Sequence, residues 1–482
     1  MTNEFIQNAS YKDVIMCPVH GAINVHEHEI ATINHPLFQR LRDVMQNDIL
    51  HYIFMGATHT RFSHSIGTMH IASKVFHSII SNKRNKELGS KLRLTRAQER
   101  AVNYLSQVLR LAMLLHDTGH GAFSHQLEKT PAILTEILGK PETAQQLWDG
   151  VDTSNFYSAL PLKMCHEHYS VRAAHKILTD VKLEKFNVEV SDVLNVMETT
   201  DGKPSEQFMK ATKELWPIIA GSSSISDEDK AIKLMHVLEL IISNEFDADK
   251  ADYLMRDSHY AGVNYGKFDL DTLVNNFSIE WIEDEKWLGL AINKKVIGVL
   301  ENFVFSRYSM YLHVYNHKTT NGFELILSSA IEELLMQKDW NERIKKCLSN
   351  IDCFEDFSDS MLWMGFKTLA KEEPDSYCAK LIKRVRIPFI GSYKLDSSSD
   401  PLTLIKGISK EYGIEEGDIK YRILKTKFSK ICCDFVDIRV IDRNPVSKRE
   451  IVRKISDVSG FFDLFSDLSQ LVVHYENKKA SL

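Results

Sequence analysis

AVNYLSQVLRLAMLLHDTGHGAFSH (101–125) decides how this chain is read. Its first part is apolar nearly all round, which predicts a helix buried at the centre of the molecule rather than one lying on its surface. Gly119 and Gly121 break that pattern directly after His116-Asp117. The pair therefore falls at the inner end of a rigid core helix, where side chains can be held in a fixed geometry. Upstream lies RFSHS (61–65) and downstream DADKADYLMRD (247–257). The ordered set His64, His116, Asp117 and Asp249 offers two imidazoles and two carboxylates. Taken singly, each reads more readily as a capped histidine or a helix-end carboxylate. Together they suit a divalent metal such as Mg, Mn or Fe, with Ni or Zn as alternatives, and the lack of thiolates disfavours a soft-metal site.

Around this set stand groups that phosphate chemistry uses. His120, His125 and His166 are candidate acids or bases, and Glu128 is placed to fix the tautomer of one of them. Residues 247–257 read as a helix on which Asp249, Tyr253 and Asp257, four apart, share a face. Lys250 and Arg61 would supply positive charge to phosphates. Asp252 and Arg256, also four apart, read as a structural ion pair. Arg307, Tyr311 and Tyr315 form another stripe at the same spacing, more often core than ligand.

A chain of 482 residues with 44% hydrophobic and 26% charged residues is ordinary for a globular protein, and is long enough for two domains or one domain with a lobe. The net charge of -6 argues against a globally basic nucleic-acid binder. No apolar run approaches the roughly 18 residues that span a bilayer. MTNEFIQNASYKD lacks the apolar core of a signal peptide, and seven mostly scattered cysteines fit a reducing cytoplasm. Cys432-Cys433 read as core or sheet residues.

Helical patterning dominates to about residue 375. Helices are expected over 35–45, with Pro36 in the first turn, over 64–80, 230–257 and 298–338. KRNKELGSKLRLTRAQER (83–100) reads as a solvated connector. TTDGKPSE (199–206) and GSSSISDED (221–229) bracket an expected surface insertion, about 199–230. After that, IKRVRIPFIGSYKL (382–395) and KICCDFVDIRVID (430–442) turn β-like. The expected architecture is a mainly α helical core, 1–375, with a smaller α+β C-terminal lobe, 376–482, serving assembly or regulation.

The chain resembles the HD-domain deoxynucleoside triphosphate triphosphohydrolases, over about residues 12–325. The resemblance is carried by HPLFQRLRDVMQ (35–46), FMGATHTRFSHSIGT (54–68), LLHDTGHGAFSH (114–125), FDADKADYLMRDSHYAGV (246–263) and YNHK (315–318). It implies a helical HD core that hydrolyses a dNTP at the α-phosphorus, releasing deoxynucleoside and triphosphate. It makes His64, His116, Asp117 and Asp249 the metal ligands, and puts His120, His125 and His166 at the phosphates. Arg61, Lys250, Tyr253 and Arg307 fall on triphosphate contacts. Gln46, Tyr253 and Asp257 fall at the sugar hydroxyl, and Tyr315 falls beside base and sugar.

It also implies a homo-oligomer with a regulatory nucleotide, placed by position near Val19, His20, Asn34, Gln39, Arg42, His317 and Lys318. That site is altered: CPVHG (17–21) replaces Asp-Pro-Ile-His-Gly, Asn34 replaces a carboxylate, and TLVNN (272–276) replaces basic residues. Elsewhere Glu128 stands for an aspartate, Asn47 for a leucine and Tyr311 for a histidine. An antiphage role follows by analogy alone. Two other readings remain: an HD-type 5′-nucleotidase or phosphodiesterase, and a non-catalytic nucleotide sensor.

Overall fold

The computed structural model describes residues 11–88, 93–155, 157, 159–198, 202–221, 223–396, 399–426, 428, 438–444, 446–447, 450–463 and 468–476. The fold is mainly α with a smaller α+β lobe. A short antiparallel hairpin, β1 (Asp13–Cys17) and β2 (Gly21–Val25), precedes two long helices, α1 (Arg61–Leu88) and α2 (Arg96–Leu115). Then come α3 (His125–Lys129), α4 (His166–Val181), α5 (Glu206–Ile219) and α6 (Ala248–Ala261). A hairpin of β3 (Phe277–Ile282) and β4 (Trp287–Asn293) leads to α7 (Ile297–Met310) and α8 (Lys318–Met336). Beyond α8 come further helices, including Asp359–Glu372 and Pro401–Tyr412, and, among the described residues, five strands: β5 (Phe389–Lys394), β6 (Ile419–Thr426), β7 (Ile438–Arg443), β8 (Glu450–Lys454) and β9 (Leu468–Tyr475).

α2 is the centre that its sequence predicts. Every residue from Val108 to Leu115 is buried. Its start is fixed by a capping box, in which Gln98 N–H donates to Thr95 Oγ1 at 3.2 Å and Thr95 N–H to Gln98 Oε1 at 3.0 Å. α6 starts on Asp247, whose Oδ1 accepts from Lys250 N–H at 2.7 Å, and ends at Gly262, whose φ of 69° suits the left-handed cap.

The structure differs from the sequence reading in several places. The stretch 83–100 is helical at both ends, since α1 runs to Leu88 and α2 starts at Arg96, and its first residue, Lys83, makes a buried ion pair with Glu280 at 2.9 Å. The segment 199–230 does not lie on the surface throughout. α5 packs on α2 and buries Phe208, Leu215 and Trp216, so its polar flanks mark where the chain turns, not how deep the helix lies. FSIEWI and WLGLAIN form β3 and β4, in a region between the expected helices 230–257 and 298–338 for which no strand was expected. Cys432 and Cys433 lie outside the described residues.

The lobe is not a contiguous second core. β5, β9 and β6 form an antiparallel sheet over a small cluster that includes Leu395, Ile405, Ile408 and Leu471. β7 and β8 instead join β3 and β4, with β4 and β7 parallel, and Ile438 and Val440 enter the main core. Among the described residues no helix is long and apolar enough to cross a membrane.

Candidate active site

Three helices bring the proposed metal ligands together. His64 is in the first turn of α1, Asp249 in the first turn of α6, and His116-Asp117 at the end of α2. His64 Nε2 lies 3.5 Å from Asp117 Oδ2 and 3.0 Å from Asp249 Oδ1. His116 Nε2 lies 3.5 Å from Asp117 Oδ1 and 3.7 Å from Asp249 Oδ1. Neither Nε2 has a well-formed hydrogen bond, although both atoms are buried. The opposite ring nitrogens are tied down, His64 Nδ1 to Asp252 Oδ2 at 2.8 Å and His116 Nδ1 to Met113 O at 2.7 Å. Both rings therefore aim an unpaired nitrogen at two carboxylates, which is how imidazole ligands are held for a metal.

Electrostatics agree with that geometry. Burial alone would push the His64 imidazole down, yet Asp249 and Asp252 hold it up to about 10. Burial would raise Asp117, but Arg61, His116 and His120 hold it well below the ordinary carboxylate range. A divalent cation is the natural neutraliser of such a cluster, so the residues fit the metal that the resemblance implies.

Asp252 does more than pair with Arg256. The pair exists, with Arg256 Nε and NH2 donating to the two carboxylate oxygens at 2.8 and 2.9 Å. The same carboxylate orients His64 and binds His20 Nε2 at 2.6 Å. Gly67 makes room for it, since a Cβ there would stand 2.1 Å from Asp252 Oδ1. The three-residue step from Asp249 to Asp252 was the available signal, because it puts both carboxylates on one helix face.

The second group is a stack of histidines. His120 and His166 rings lie 4.0 Å apart at 21°, and His125 stands edge-on to both, 4.7 and 5.1 Å away. Gly119 permits this: a Cβ would meet Ser170 N at 2.1 Å and His166 O at 2.2 Å, so only glycine lets this turn close onto α4. Phe123 and Ser124 both hold left-handed φ values, 55° and 49°, an uncommon strain for side chains that carry a Cβ. Phe123 N–H donates to Asp359 Oδ1 at 2.6 Å, and Ser124 Oγ donates to Met45 O at 2.9 Å. Glu128 lies 3.2 Å from His166 Nδ1 through either oxygen. Burial pushes His166 down, but Glu128 and Glu167 raise it overall; burial and Arg61 keep His120 well below its ordinary value. The two stacked rings are thus biased toward different protonation states.

Beside the histidines lies a cavity of about 230 Å³ lined by Gln46, Arg61, His125, Tyr253, Asp257 and Tyr315. Arg61 bridges the two parts. It pairs with Asp117, donates to Ser124 Oγ at 2.7 Å and faces the cavity. Asp257 accepts from Tyr315 O–H at 2.6 Å and binds His59 Nε2 at 2.6 Å. Two expected contacts are turned elsewhere. Lys250 donates to Asn244 O at 2.8 Å and pairs with Asp247, while Arg307 donates to Phe428 O at 2.6 Å and lies 3.5 Å from Glu245 Oε1. Both are buried beside carboxylates, Lys250 against the cap residue three positions earlier and Arg307 against Glu245 from a distant segment. Conversely, His59, Asp48, Lys129 and Arg422 escaped the sequence reading. Arg422 comes from β6, where no motif points to it.

The residues assigned to a regulatory nucleotide are dispersed. Val19 lines a separate cavity with His259 and Lys267. Gln39 and Arg42 bond each other at 2.8 Å, Arg42 lies over Phe62, and Asn34 caps the preceding helix. His317 caps α8, and the Lys318 ammonium lies 5.4 Å from the Phe389 ring centre.

No family model matches the chain. An uncharacterized protein of Methanocaldococcus jannaschii is 26% identical over 339 residues, 70% of this chain and 53% of that one. The deoxynucleoside triphosphate triphosphohydrolase SAMHD1 of Gallus gallus is 26% identical over 335 residues, 69% of this chain and 47% of its own. Its Dictyostelium discoideum homolog is 25% identical over 488 residues, covering 98% of this chain and 78% of that one. The chain thus spans about half the length of the first two of these relatives. A solved phosphohydrolase of Bacteroides thetaiotaomicron superposes with a TM-score of 0.64 at 21% identity, covering 96% of this chain and all of that one, and so shares the fold. In sequence the chain is thus similar to the SAMHD1 deoxynucleoside triphosphate triphosphohydrolases, and in fold to a solved phosphohydrolase.

Proposed function

We propose that the protein hydrolyses dNTPs at the α-phosphorus, giving deoxynucleoside and triphosphate. The observation that carries this is Arg61, which joins a metal-ligand carboxylate to a cavity walled by tyrosines and a carboxylate. One side chain thereby ties phosphate chemistry to a pocket for a sugar and base. A divalent ion, Mg, Mn or Fe, held by His64, His116, Asp117 and Asp249 would supply Lewis-acid polarisation and water activation. The protein's own groups do the rest. Arg61 binds and orients the phosphates. Glu128 fixes His166 through Nδ1, and His166 Nε2, which lies 3.3 Å from Glu167 Oε1, is the atom to hold or move a proton toward the departing 5′-oxygen. Neutral His120 packs against it and can donate or accept one hydrogen bond without adding charge. Tyr315 and His59 hold Asp257 ready to accept from a sugar hydroxyl.

Homo-oligomerisation and activation by a second nucleotide belong to this reading through the family resemblance, as does an antiphage role through depletion of dNTPs. The dispersal of the regulatory residues within one chain is compatible with a site completed by another copy. A second reading, an HD-type nucleotidase, is favoured by one observation. Lys250 and Arg307, two of the cations expected on a triphosphate, are tied to Asp247 and Glu245. Product analysis separates the readings. Purified protein with Mg or Mn and each dNTP, alone and mixed, should yield triphosphate and deoxynucleoside. Inorganic phosphate would indicate the nucleotidase, and nucleotide binding without turnover in any mixture would favour a sensor.

A further inference from the structure

One wall of the cavity is left over by the phosphate and sugar contacts described above. It comprises Asn47, Asp48, Thr320, Glu324 and Arg422. Asn47 Nδ2, Asp48 Oδ1 and Thr320 Oγ1 are buried without a hydrogen-bond partner, and Thr320 is only 2% exposed. Leaving such atoms unpaired is costly. Three of them on one cavity, from two segments distant in sequence, mark a surface completed by a polar ligand. Asp48 holds a left-handed φ of 43°, so its placement costs the fold something as well. Burial pushes its carboxyl up to about 6 against the pull of Lys129, Arg61 and Arg422, which leaves it largely ionised at neutral pH.

Arg422 reaches this wall from β6 of the C-terminal sheet. It donates to Gln126 Oε1 at 3.2 Å and pairs with Glu324. These partners fix the guanidinium, which has five N–H donors and so retains some for a ligand.

We propose that this wall reads the nucleobase, Asp48 accepting from it and Arg422 donating to it, and that guanine is the preferred base. The inference rests on the dNTP reading of the site. Guanine offers adjacent N1–H and N2–H donors to one carboxylate, and O6 and N7 acceptors to a guanidinium. Adenine and cytosine each present one amino group beside a ring acceptor, which would face the carboxylate lone pair against lone pair. Thymine places its single N–H between two carbonyl oxygens. The C-terminal lobe thereby takes part in substrate choice.

Calorimetric titration of the full chain in EDTA with dGTP, dATP, dCTP, dTTP and dITP tests this, because dITP lacks only the 2-amino group. The expected result is dGTP binding about fivefold or more tighter than dITP and the other three. Asp48→Asn should level dGTP with dITP, and Arg422→Gln should bring dGTP toward the other dNTPs. Equal binding of dGTP and dITP by the unaltered protein overturns the proposal, leaves the dNTP reading standing, and requires no variant to fold. A guanine preference that survives in both variants, with unchanged melting, also overturns it. Failure of every dNTP to bind would remove the dNTP reading and this proposal with it.

Discussion

His64, His116, Asp117 and Asp249 are carried by three helices of the main core, and each histidine has its second ring nitrogen tied to a buried partner. Asn47, Asp48 and Arg422, a few side chains away, come from a turn and from a strand of the C-terminal sheet, and the first two keep polar atoms unpaired. The first group is a geometry fixed before anything binds. The second is a surface whose hydrogen bonds only a ligand completes. Chemistry requires the first kind of precision, whereas choice among substrates needs unsatisfied groups that the wrong partner leaves unsatisfied.

Removing a ligand from the fixed half should have the largest effect. Asp117→Ala is expected to lower turnover on the order of a thousandfold or more, because it forfeits several kcal/mol of charge stabilisation. Turnover at saturating dNTP and saturating metal measures this. A loss of tenfold or less would mean that the metal lies elsewhere.

The helix that delivers His116 is anchored by a buried pair. Glu29 accepts from Arg110 Nε at 2.6 Å and NH2 at 2.7 Å, and Arg110 also donates to Asn24 O in β2 at 2.9 Å. Burial would raise the Glu29 carboxyl, but Arg110 holds it down to about 2 from an ordinary 4.5. A depressed carboxyl stabilises the fold fully above its unfolded value and loses that contribution as pH falls through the folded one. Glu29→Gln should therefore cost about 3–5 kcal/mol at pH 7, since it strands a buried guanidinium. The difference from wild type should shrink between about pH 4.5 and 2. Denaturant melts across that range check it, and a pH-independent difference would contradict the ion-pair account.

Asp252 sharpens the comparison further, because it acts on the metal only through His64. Asp252→Asn is expected to weaken Mn binding or activity by about 10- to 100-fold, read by metal titration, with nucleotide affinity in EDTA little changed. A shift confined to nucleotide affinity would remove its positioning role. The smallest effect distinguishes two cations that the sequence treated alike. Arg61→Gln should lower kcat/KM by about tenfold or more, as expected for a charged hydrogen bond to substrate. Lys250→Met should act mainly on melting temperature. A KM increase for Lys250→Met equal to that of Arg61→Gln would show that Lys250 swings into the cavity.

The fixed half was legible in the sequence because its elements are local and periodic. An apolar helix ending in His116-Asp117, two glycines and a stripe of three residues spaced four apart on α6 are signals that a single chain displays. The lobe's β character was visible too, through alternation after residue 375. What escaped depended on contacts between distant segments. Asp192, for instance, accepts from Tyr104 and from Ser205, which anchors α5 into the core despite its polar flanks. Lys250 was expected on the phosphates, but it is tied to Asp247, the residue that caps its helix, and to Asn244 O. β7 completes a sheet begun by β3 and β4, and β6 lends Arg422 to the cavity. Neither pairing has a spacing that a linear pattern can reveal.

Hydrolysis in water enriched in ¹⁸O tests the central claim most directly, because it reports which phosphorus is attacked. With Mn and a mixture of dNTPs, the label should appear in triphosphate, on one terminal phosphorus, with none in the deoxynucleoside. Label in inorganic phosphate or a nucleoside diphosphate would place the attack on another phosphorus, and label in a nucleoside monophosphate would mean that pyrophosphate, not the 5′-oxygen, departs; either contradicts the account.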